Sequence, residues 1–145
     1  MIDLWPEDMP SHTTVKPPVT ILREQASLLD SKTLNIVEAK VKRCDDIDYR
    51  NGFKYRFLII APALNNYQYS LFYLTHPIEF YPTTFYADKH ITDGLPDKSL
   101  MTELPDNVGK LIANDIDEFN NILKAILATD RTKRVIEAVL AQSVE

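Results

Sequence analysis

Twelve of the fourteen aromatic residues fall between Tyr49 and Tyr86, including all seven tyrosines and five of the six phenylalanines. Aromatic side chains fit the pleated surface of a sheet, and tyrosine suits a position with one wet end. The block therefore predicts the sheet, and it marks a candidate binding surface.

Strand patterning inside and before the block is explicit. From Ile36 to Arg43, Val37, Ala39 and Val41 alternate with Glu38, Lys40 and Lys42, so one face is buried and one is wet. A second strand is expected over Phe53–Ala61, with Phe53, Tyr55, Phe57 and Ile59 on one side. A third is expected from Tyr67 to Thr75, and a fourth from Glu79 to Tyr86, where Pro82 imposes an edge position or a break. Parity sets the registers. A tight turn at Asn51-Gly52 would place Lys40 and Lys42 beside Phe57, so Asp45 to Gly52 is read as a longer loop pairing Val41 with Phe57 and Ala39 with Ile59. A tight turn at Asn65-Asn66 then pairs Phe57 with Leu74 and Ile59 with Phe72.

Helices flank this block. One is expected from Pro18, since proline is tolerated in a first turn, with Val19, Leu22, Ala26, Leu29 and Thr33 as its stripe, widened by Ile21 and Leu28. Two more close the chain. Asn114 or Asp115 caps the first, whose stripe is Ile112, Ile116, Phe119, Leu123, Ile126 and Leu127. Thr129 or Asp130 starts the second, with Val135, Ile136, Val139 and Leu140 facing inward. The segment Asp88–Asn114 reads as a long connection with room for a short edge strand. The expected order is α-β-β-β-β-α-α, an α+β fold built on a four-stranded antiparallel meander. Residues 1 to 17, with Pro6, Pro10 and Pro17, read as an extended arm, and 18 to 145 as a single α+β domain.

Under this register the second face of the sheet carries Glu38, Lys40, Lys42, Lys54, Arg56, Leu58, Ile60, Tyr69, Leu71 and Tyr73. Its apolar end, with Leu58, Ile60, Leu71 and Tyr73, needs a cover. Its basic end sets Lys42 opposite Arg56, a repulsion that an acidic group would relieve. Glu38, the arm residues Asp3, Glu7 and Asp8, or a partner are the candidates. Lys40, Lys42, Lys54, Arg56, Leu58, Ile60, Tyr69, Leu71 and Tyr73 are therefore the candidate partner-binding residues.

Recognisable catalytic constellations are missing. There is no G-x-G-x-x-G, no phosphate-cradling G-x-x-x-x-G-K-[ST], no H-E-x-x-H and no G-x-S-x-G. The acidic run Asp45-Asp46-Ile47-Asp48 lacks the glycine and glutamate of an EF-hand. No metal or cofactor is expected. His76 and Glu79 form the one conceivable acid–base pair, with Tyr81 nearby. A formal charge of −5 argues against general nucleic-acid or anionic-membrane binding. A single cysteine, Cys44, and an N-terminus without a basic and apolar leader point to the cytoplasm. The resulting expectation is a small non-catalytic interaction protein of inhibitor, immunity-type or adaptor kind. It would bind a protein partner or itself through one sheet face. A small His76/Glu79 enzyme is the alternative, and single-stranded nucleic-acid binding on the basic face the third reading.

Overall fold

The alternation of the first two strands carries directly into pairing. β1 (Glu38–Cys44) lies antiparallel to β2 (Phe53–Ala61), with Val41 opposite Phe57 and Ala39 opposite Ile59, as the parity of their side chains requires. A computed structural model describes residues 1–45, 52–98 and 101–144. The β1–β2 loop, read above as spanning Asp45 to Gly52, lies mostly outside the described residues.

β3 (Tyr67–His76) follows β2, but in a different register from the expected one. Phe57 faces Phe72 and Ile59 faces Tyr69. Two features cause the change. The connection is not a two-residue turn: Pro62–Leu64 form a 3-10 turn, and Asn65 and Asn66 then both adopt left-handed φ, at 58° and 57°. A bulge then opposes Phe57/Leu58, where Leu71 is the extra residue of β3. The bulge reverses the facing of everything before it on that strand.

The expected four-stranded meander is a six-stranded antiparallel sheet, ordered β1-β2-β3-β4-β6-β5. β4 (Thr83–Asp88) begins later than expected, after Phe80 takes a φ of 76°; the Tyr81–Pro82 peptide bond is cis. Of the two expectations for Pro82, an edge position or a break, the break holds: Pro82 precedes an interior strand. The long connection contains α2 (Lys89–Thr92), β5 (Met101–Leu104) and β6 (Val108–Ala113). Asp88 caps α2 by accepting a hydrogen bond from the Ile91 N–H at 3.1 Å. Gly109 is required in β6, since a Cβ there would collide with Thr92 of α2.

All the helices pack on one side. α1 (Pro18–Lys32) lies along β1, burying Ile21, Leu22 and Ala26, while Leu28 stays half exposed. α3 (Ile116–Leu127) is capped by Asp115, which accepts from the Glu118 N–H at 2.8 Å. It buries Phe119, Ile122, Leu123 and Ile126; Ile112 belongs to β6, and Ile116 remains exposed. α4 (Asp130–Ser143) starts at Thr129, whose hydroxyl oxygen accepts from the Thr132 N–H.

The phenylalanines form a ladder beneath these helices. Phe57 stacks on Phe72 at 5.2 Å, Phe72 meets Phe85 at 5.7 Å, and Phe85 meets Phe119 of α3 at 5.0 Å. All four rings are essentially inaccessible. Each contributes on the order of 1.5–3 kcal/mol of burial, plus a smaller gain from ring geometry. Residues 1 to 16 are exposed throughout and contain no regular element. Among the described residues no helix is long and apolar enough to cross a membrane.

Candidate functional site

The face of the sheet away from the helices is built by the same pairings. Strand registers align one residue from every strand into a single row: Lys42, Arg56, Tyr73, Tyr86, Lys110 and Thr102. With strands about 4.8 Å apart, that row is about 24 Å long. Lys54 and Thr75 stand in the next row, and Lys40 beside Leu58 on the other flank.

Two phenol rings occupy the middle of the row. Tyr73 and Tyr86 are stacked, with centroids 4.7 Å apart and planes 12° from parallel. Lys54 Nζ lies over the Tyr73 ring, 4.6 Å from its centroid. Lys54 belongs to β2 and Tyr86 to β4, so they approach Tyr73 from opposite sides. Both faces of that ring are therefore occupied. Burial raises the Tyr73 pKa above its ordinary 10.0, the Tyr86 phenol raises it further, and Arg56 opposes them. The Tyr73 hydroxyl stays protonated at neutral pH and remains a hydrogen-bond donor.

Among the described residues, the cations around the two rings have no carboxylate partners. Among the described residues, salt bridges join only Lys16 to Glu24 and Arg43 to Asp45. Lys40, Lys42, Lys54, Arg56 and Lys110 are not in them. Lys42 faces Arg56 directly, as the sequence required, and neither Glu38 nor the arm residues Asp3, Glu7 and Asp8 neutralise the pair.

The sequence-predicted residues divide three ways. Lys40, Lys42, Lys54, Arg56 and Tyr73 share this face. Leu58 and Ile60 point to it as well, but they are closed off, at 6% and 7% exposure, without joining the main core cluster. The part of the apolar end that Leu58 and Ile60 form, expected to need a cover, is closed off. Tyr69 and Leu71 are on the opposite face, because the Leu71 bulge turns both toward the helices. Sequence reasoning missed Tyr86 and Lys110. Tyr86 ends the expected strand that Pro82 disturbs, and Lys110 lies in the long connection, where the sequence offers only room for a short edge strand.

His76 and Glu79 are not brought together. The His76 Nδ1–H donates to the Pro77 carbonyl at 2.8 Å, and the ring packs among Phe53, Tyr55 and Phe80 at 5.5–5.9 Å. Nε2 is buried without a partner, burial holds the pKa below 6.5, and Glu79 is exposed. The Tyr81 hydroxyl is also buried without a partner, with its pKa raised by burial and then by Asp115. Among the described residues no group of three His, Cys, Asp or Glu side chains is placed to hold a metal ion.

The chain matches no protein-family model, no curated protein and no solved structure.

Proposed function

We propose that this chain is a binding protein that docks an acidic surface of a protein partner on the second face of its sheet. The observation carrying this reading is the row Lys42–Arg56–Tyr73–Tyr86–Lys110, a line of cations and phenols that form no salt bridge among the described residues. Like charges held side by side across strands cost stability. An incoming set of carboxylates offsets that cost and accepts hydrogen bonds from the guanidinium, the ammonium groups and the phenols. Tyrosine and arginine at the centre of a patch are also the residues that dominate protein interfaces.

Protein carboxylates fit better than a nucleic-acid strand. Base stacking needs a free aromatic face, and Tyr73 offers none between Tyr86 and Lys54. The net charge of −5 repels a polyanion at long range, while a discrete acidic patch meets only the local basic row.

The test is affinity capture from native extract on wild-type protein and on the double variant Arg56→Glu/Lys110→Glu. At about 50 mM salt the wild type should retain an acidic protein that the variant does not, and about 0.5 M salt should release it. Equal retention by the variant, or recovery of nucleic acid alone, would overturn the reading.

A further inference from the structure

A second site lies on the opposite side of the sheet, where α4 passes under the start of β3. One stripe of α4 lines it: Arg131, Arg134, Val135, Ala138, Val139 and Gln142. These follow the i, i+3, i+4, i+7, i+8, i+11 spacing of a single helix face. Such a stripe normally packs wholly on the core. Here the stripe lines a groove of about 660 Å³, with the largely buried Val135 and Val139 as its floor and Leu64, Tyr67 and Tyr69 as its other wall. That volume is in the range of small-molecule sites.

The groove is polar at one end and apolar along its length. Thr129 caps α4, and the Thr132 hydroxyl donates to the Ile126 carbonyl at 2.9 Å, which pins the first turn against the end of α3. This holds Arg131 against Tyr69. Its Nη2 donates to the Tyr69 hydroxyl at 3.3 Å, and the guanidinium carbon is 5.9 Å from the ring centroid. Nε is buried with no acceptor. Arg134 joins it one turn on, and among the described residues neither arginine forms a salt bridge. Arg131, Lys133 and Arg134 also crowd the start of α4, where the helix dipole disfavours positive charge. Their placement does not serve helix stability. From Arg131 to Gln142 the stripe is about 16 Å long.

We infer that this groove binds an amphipathic organic anion. Its carboxylate or phosphate head would be held by Arg131, Arg134 and the Tyr69 hydroxyl, and its apolar body would lie along Val135, Val139 and Leu64. Guanidinium forks suit oxyanions of either kind, and the half-buried position strengthens the pairing.

The test is a two-dimensional NMR titration of the full chain with octanoate, octyl phosphate, octanol and inorganic phosphate. Both octyl anions should shift the amides of Tyr67, Tyr69, Val135 and Val139 saturably, and bind about tenfold or more tighter than octanol or inorganic phosphate. The tighter of the two identifies the head group. Arg131→Gln and Arg134→Gln should each weaken octyl-anion binding about tenfold, while Arg56→Glu on the other face leaves it unchanged. Arg134 is exposed, so its variant tests the site even where Arg131→Gln fails to fold. No saturable shift at millimolar probe, equal binding by the arginine variants, or shifts centred on Tyr73 and Tyr86 would each overturn the inference.

Discussion

Tyr69 and Tyr73 lie four residues apart on one strand, a spacing that should put them on the same face. They serve opposite faces. Tyr73 stands in the second-face row against Tyr86 and Lys54, while Tyr69 turns inward to meet Arg131. Leu71 lies between them as the extra residue of the bulge. Before it, Gln68 and Ser70 face outward; after it, Tyr73 and Thr75 do. One inserted residue thus divides the tyrosines of a single strand between two candidate sites. Aromatic clustering in a sequence therefore does not by itself define one surface.

The largest break in this comparison comes from Leu71 itself. It is 1% exposed and sits in the core although it interrupts the alternation. Leu71→Ala should cost about 2–5 kcal/mol in denaturant unfolding. A loss below about 1 kcal/mol would mean that its side chain does not anchor the bulge.

A smaller effect separates the two halves of β3 by pH. His76 ends the second half, and its pKa is lowered by burial from the ordinary 6.5, against the opposing hydrogen bond to Pro77. Below 6.5 the unfolded chain takes up the proton before the folded one. Stability should therefore be full above that value and decline as pH falls through it, by no more than about 1.4 kcal/mol per pH unit for one proton. In thermal melts between pH 7.5 and 5, His76→Phe should flatten this part of the profile. Parallel profiles would sink the assignment.

The smallest expected effect is the sharpest. Tyr69→Phe removes the acceptor of the Arg131 hydrogen bond and should destabilise by about 1 kcal/mol or less. Tyr73→Phe keeps the ring stack and should be close to neutral in the isolated protein. Equal losses in calorimetry would contradict the division of roles between the two tyrosines.

Legibility in the sequence followed the length and regularity of each pattern. β1 and the first half of β2 alternate, so their register emerged from parity. The caps Asp115 and Thr129 announced α3 and α4. β6 was hidden because its inward positions are Gly109, Leu111 and Ala113, two of them nearly without side chains. Leu111-Ile112 then resembled the start of the following helix. The bulge left one trace, the adjacent apolar pair Leu71-Phe72 in an otherwise alternating strand. Of the α4 stripe from Arg131 to Gln142, only Val135 and Val139 were legible as inward positions, since nothing local shows that a groove lies beside them.

Local pattern determined that this chain would build an antiparallel sheet with helices on one side, and that Lys42 and Arg56 would face each other on the other. Those results rest on side-chain alternation and nearest-neighbour pairing, which a sequence records directly. Tertiary structure decided how many strands there are, which face Tyr69 takes, and which basic residues meet which tyrosines. Each of these depends on contacts between residues far apart in the chain. A single bulge and a longer turn reset the facing and the pairing, and two small inward residues were enough to hide β6.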